Sequence, residues 1–95
     1  NIALSGLMAS SKKLSVAADN IANAGTKGAI DPQDGPEGFT PRDTVDRSAP
    51  GGGVQTLTQP RTNPFVPSFD PDSPFANKDG MVNAPNVNLT EELII

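Results

Sequence analysis

The chain has 95 residues, of which 35% are hydrophobic, with nine glycines, ten prolines and a formal charge of −4. So short and apolar-poor a sequence reads as one small domain with a thin core, and its acidic balance argues against nucleic acid, which asks for a basic face. It holds no cysteine and no histidine, which removes disulfides, thiolate metal centres and the commonest general base, and no run approaches the ~20 apolar residues of a membrane span.

Residues 1–25 read as one helix. Leu4, Leu7, Ser11, Leu14, Ala18 and Ile21 recur at alternating steps of three and four, the a/d spacing of a coiled-coil seam with Ser11 as its polar entry. Gly6 lies among Ser5, Ala9 and Ser10, a run small enough for close helix approach. Lys12, Lys13, Asp19 and Asn20 supply polar positions. The plain alternative is a helix packed on its own domain's core; the other is a seam for a second helix, within or between chains. The helix is expected to end near Asn23, closed by Gly25 in the left-handed conformation, with Asn20 and Asn23 in the last turn.

Residues 26–84 hold nine of the ten prolines and read as an irregular β lobe with linkers. Asp31–Gly38, DPQDGPEG, is acidic and turn-rich, and is expected to be mobile. Ala49–Gly53, APGGG, reads as a flexible turn. The strand candidates are Gly53–Thr58, Phe65–Phe69 and a short one at Gly80–Asn83; Pro67 bars the second from a central ladder position. Residues 85–95 begin a second helix. Asn88 with Glu91 three residues on resembles a capping box, Glu91 and Glu92 suit the first turn, and Leu89, Leu93 and Ile94 open an apolar face. Two turns do not hold alone, so this helix is expected to continue past Ile95, and both ends read as cut. The fold class expected is therefore mainly α with a small irregular β lobe, its long first helix in a coiled-coil-like pair with a truncated second.

Little in the chain speaks for catalysis. No G-x-S-x-G elbow is present, Lys12 and Lys13 fit a solvated helix face, and Gly51–Gly53 lacks the Gly-Lys-Ser/Thr of a phosphate loop. Asp70, Asp72, Asn77 and Asp79 before Gly80 mimic a calcium loop only superficially, because a loop turning at Gly80 would start on Phe75 and end on Asn86 instead of a glutamate. A hydrolase built on Asp70, Asp72 or Asp79 has nothing nearby to tune those carboxylates. No enzyme activity, metal or cofactor is expected, and a binding module whose β lobe holds a protein partner is the runner-up to a structural subunit.

Two stretches resemble a known family. Ala3–Gly28 is similar to the N-terminal helix of the rod and hook proteins of the bacterial flagellar axis, through Asn20, Ile21, Ala22, Asn23, Thr26 and Gly28. Asp70–Leu93 resembles the approach to the C-terminal helix of the short proximal-rod subunits, through Asp70, Pro71, Gly80, Val82, Pro85, Asn86, Val87, Glu91 and Glu92. The resemblance implies a structural rod subunit of the basal body, in the periplasm, that pairs its terminal helices around the axis and transmits motor torque. It also implies other rod subunits, further copies of the chain and the type III export apparatus as partners, and export without a cleaved signal.

Overall fold

Asn1 opens the first helix: its Oδ1 accepts the Leu4 N–H at 3.1 Å, and α1 runs from Ile2 to Ala22 without a proline. Its 21 residues make roughly 31 Å of axis. The structure, a computed structural model, describes residues 1–93. Asn23 closes the helix twice over, its backbone N–H and its Nδ2 both donating to Asp19 O, at 3.1 and 3.0 Å. Gly25 does not take the left-handed conformation expected of it. The asparagine side chain adds a second donor to Asp19 O, and the Ala24 N–H takes Ile21 O at 3.3 Å, so the last turn tightens without a left-handed residue.

Strands β1 (Arg42–Ser48) and β2 (Val54–Pro60) form an antiparallel hairpin, with Val45 opposite Leu57 and Asp46 opposite Thr56. At its tip Gly51, Gly52 and Gly53 have φ of 82°, 102° and 87°, a run that L side chains resist. The tip lies beneath the first turn of α1. Ser5 Oγ accepts the Val54 N–H at 3.1 Å and donates to Ile2 O at 2.8 Å, and a Cβ on Gly53 would meet Ser5 Oγ at 2.5 Å.

A second antiparallel pair, β3 (Phe65–Phe69) and β4 (Met81–Pro85), sets Pro67 opposite Asn83. Asn83 exchanges both of its backbone hydrogen bonds with Gly28, at 2.9 Å each. Pro67 and Asn83 are therefore a non-hydrogen-bonded pair, and the imide nitrogen of Pro67 points away from β4. Val82 is fully buried, and Ala29, Pro41 and Pro85 are buried with it in the lobe. The turn that joins the two strands is organised by Asn77, whose Oδ1 accepts the N–H groups of Asp79 and Met81 at 2.9 and 3.0 Å. In the stretch weighed as a calcium loop, this oxygen is committed to the backbone. Asp31–Gly38, expected to be mobile, contains a 3-10 turn at Pro32–Asp34 capped by the Asp31 carboxylate.

Helix α2 covers only Leu89–Glu92, with Asn88 Oδ1 accepting from Thr90 and Glu91. The expected mainly α fold with a coiled-coil pair is overturned. Two two-stranded antiparallel sheets accompany one long helix, and a single turn is too short to form a seam. Ile94, read as extending the apolar face, lies outside the described residues. The molecule is elongated, 54 × 23 × 15 Å, with a radius of gyration of 16.7 Å against the about 12 Å of a compact domain this size. No described helix is long and apolar enough to cross a membrane.

Candidate assembly surface

α1 has two opposed faces. Residues advance about 100° per step around a helix, so Ser5, Ala9, Lys13, Ala17 and Asn20 share one side. This side meets the hairpin: Ala9, Ala17 and Asn20 are buried, and Ser5 and Lys13 are half-buried. Val16, half-buried, and Ile2, at the hairpin tip, add two aliphatic groups to this side; the others are small or polar, so little apolar surface is covered. The opposite side carries Leu4, Leu7, Ser11, Leu14 and Ala18, all exposed, with the leucines at 52, 67 and 59%. Met8, at 64%, borders the stripe. Ile21 is half-buried. From Leu4 to Ala18 the a/d residues thus form a continuous uncharged strip exposed along the helix, and Ile21 is partly covered at its end.

A polar clasp holds the other end of α1. Asn20, 1% exposed, pairs with Arg42 as a strand neighbour would: Nδ2 donates to Arg42 O at 2.9 Å and Oδ1 accepts the Arg42 N–H at 3.1 Å. Nδ2 also donates to Glu92 Oε1 at 3.2 Å. The same carboxylate oxygen accepts from Arg61 Nη2 at 2.6 Å. Arg61 donates further to Asp43 Oδ1 from Nε at 3.0 Å and to Asn86 O from Nη1 at 2.8 Å. Burial by itself would lower the guanidinium pKa; the hydrogen bonds to Asp43 and Glu92 outweigh it and hold the group above its ordinary value. One guanidinium therefore ties together the start of β1, the segment after β2 and α2. Beside it a cleft of about 310 Å³ opens between Lys13, Asp46, Glu91 and the clasp.

The residues singled out in sequence divide between these two features. Asn20 and Glu92 are in the clasp. Asn23 caps α1, and Thr26 O accepts the Phe39 N–H at 3.0 Å. Gly28 bridges to β4; Pro85 is buried; Asn86 donates from Nδ2 to Asn63 O at 2.8 Å. Val87 is half-buried, while Ala22 and Glu91 are exposed. Leu89 and Leu93, placed in the seam by their spacing, are exposed at 53 and 71%. The described contact of α2 with α1 runs through Glu92. Nothing in the sequence singles out Arg61. An isolated arginine after Pro60 carries no signal of a partner more than thirty residues later.

Lys13 and Asp46 form an ion pair across the α1–hairpin contact. The hydrogen bond from Lys13, then that from Thr56, lowers the Asp46 pKa below its ordinary 3.8. A depressed carboxyl contributes its stability above the unfolded value, and that contribution disappears as pH falls through the lower folded value. Carbon-detected NMR titration is expected to place Asp46 below 3.8, and Lys13→Met to move it upward; a midpoint unmoved by that substitution would discount the pair.

Residues 1–29 match the family described as Flagella basal body rod protein. The flagellar basal-body rod protein FlgC of Salmonella typhimurium is 35% identical over 102 residues, covering 99% of this chain and 72% of that protein. FlgC of Yersinia enterocolitica is 36% identical over 104 residues and that of Buchnera aphidicola 33% over 98, with the same coverage.

Proposed function

We propose, because this chain belongs to the FlgC family of flagellar basal-body rod proteins, that the exposed leucine stripe of α1 is the face it packs against neighbouring rod subunits. The family is structural, and the chain is a structural subunit of the basal-body rod. A periplasmic position of that rod fits the membership. The carrying observation is that Leu4, Leu7 and Leu14 are more than half exposed on a strip free of charge. Burying a leucine fully is favourable by about 1.5–3 kcal/mol, and most of that gain is unrealised here. Passage through the export apparatus without a cleaved signal, contacts with further copies of the chain, transmission of torque and the absence of catalysis belong to the same proposal.

The test is the double variant Leu7→Asp/Leu14→Asp in the full-length protein. Neither side chain supports the monomer, so its melting temperature is expected to stay within a few degrees of the parent. Rod assembly and swimming are expected to be abolished in cells that depend on this variant. Normal motility would refute the assignment of the stripe.

A further inference from the structure

The clasp does more than fasten α1 to the hairpin. We infer that Arg61 is a positioning residue for rod assembly: it sets the direction in which α2 leaves the lobe relative to the axis of α1. The inference rests on the family reading above for its consequence, and on geometry for its content. Helix α2 is one turn long and has no buried residue, so apolar packing does not orient it. Its Leu89 and Leu93 are exposed. What fixes it is Glu92, whose side chain is 10% exposed and whose Oε1 lies 2.6 Å from Arg61 Nη2 and 3.2 Å from Asn20 Nδ2.

Arg61 reaches β1, the chain entering α2 and α2 itself. Its planar fork meets Asp43 on β1 through Nε and Nη2, at 3.0 and 2.8 Å. It meets the chain entering α2 through Asn86 O at 2.8 Å, and α2 itself through Glu92. These contacts are spread over Nε, Nη1 and Nη2 of a rigid plane, and the three donors of an ammonium all radiate from one nitrogen, so lysine is not an equivalent here. The clasp also joins α2 to α1, since Asn20 spans Arg42 and Glu92. The direction of α2 therefore depends on the hairpin and α1 being docked together, and a subunit lacking either contact presents its second helix wrongly to a neighbour.

The chain has no cysteine, so spin labels can be placed at Ala3→Cys and Thr90→Cys alone. Both sites are exposed, and Ala3 lies roughly 26 Å along the axis from Asn20, within the range of dipolar spectroscopy. The parent is expected to give one narrow distance distribution. Arg61→Lys and Glu92→Ala are each expected to lose that single peak to a broad distribution, with the hydrogen-exchange protection of α1 and β2 retained. A peak as narrow as the parent's in either variant would overturn the positioning role. If Arg61→Lys does not fold, Glu92→Ala decides the matter, since Glu92 anchors only the end of the described chain. Motility separates the inference from the reading beneath it. Broadened distances with normal swimming would refute the link to assembly and leave the geometry standing; broadened distances with lost swimming support both.

Discussion

Replacing Gly28 with alanine is expected to destabilise the protein by about 4 kcal/mol or more, enough to leave a marginal domain largely unfolded at 37 °C. A Cβ at this position would lie 1.9 Å from Gly38 N and 2.4 Å from Glu37 C, both backbone atoms. Neither side can yield by a rotamer change. On its other flank Gly28 exchanges two hydrogen bonds with Asn83 on β4, so moving it away from Gly38 breaks the bridge that joins the helix exit to the second sheet. Ordinary overpacking costs about 1–3 kcal/mol because neighbouring side chains shift, and here none is available to shift. Gly25→Ala is the control. A Cβ at Gly25 would meet nothing within 4 Å and its φ is not positive, so a change of only a few tenths of a kcal/mol is expected. Urea denaturation of the two variants followed by circular dichroism checks both, and a Gly28→Ala midpoint close to the parent's would contradict the packing described.

Asn20→Asp tests the clasp by changing one group of almost the same shape. The ionised carboxylate still accepts the Arg42 N–H. It cannot donate, so Arg42 O and Glu92 Oε1 each lose a hydrogen bond and face a negative charge in a site 1% exposed. A loss of roughly 2–4 kcal/mol at neutral pH is expected, the cost of two buried acceptors left unpaired beside a second carboxylate, offset in part by the Arg61 guanidinium that touches the same two acceptors. Desolvation and the Glu92 carboxylate raise the pKa of the new group in the folded state by more than the Arg61 guanidinium, already shared between Asp43 and Glu92, lowers it. The native state then binds more protons than the unfolded one, so stability falls as pH rises from the ordinary aspartate value, about 3.9, to the raised folded value. Acidification within that window is expected to narrow the gap between variant and parent. A gap that does not change with pH would show that the Asn20 amide is not acting as a donor.

The sequence makes α1 legible, but shows its outer face and not its inner one. Hydrophobic periodicity registers Leu4, Leu7 and Leu14, which lie on the exposed stripe, whereas the side docked on the hairpin is built mainly of Ser5, Ala9, Lys13, Ala17 and Asn20, with Ile2 and Val16 its only large aliphatic residues. β2, β3 and β4 are visible as short alternating or proline-marked runs. β1 is not: RDTVDRS has one large aliphatic residue, Val45, and its pairing depends on turn geometry and on Asn20 acting as a surrogate strand. The Asn and Gly of the helix exit are recognisable as a motif, but their purpose emerges only when Arg42, Gly38 and Asn83 arrive from distant positions. Spacing places Leu89 and Leu93 on an apolar face, which is exposed here, and periodicity cannot show the hydrogen bond by which Glu92 meets Asn20 of α1.

The outward-facing imide of Pro67 has a consequence for a structural subunit of the rod. A bare β margin invites a further strand from any neighbouring molecule, and such additions compound into fibrils. At Pro67 the row of donors along that margin is interrupted in the middle of a five-residue strand, and an incoming strand finds no amide there to bond. Crowded copies of this subunit are thereby discouraged from amyloid-like stacking through β3, whichever face it presents within the rod.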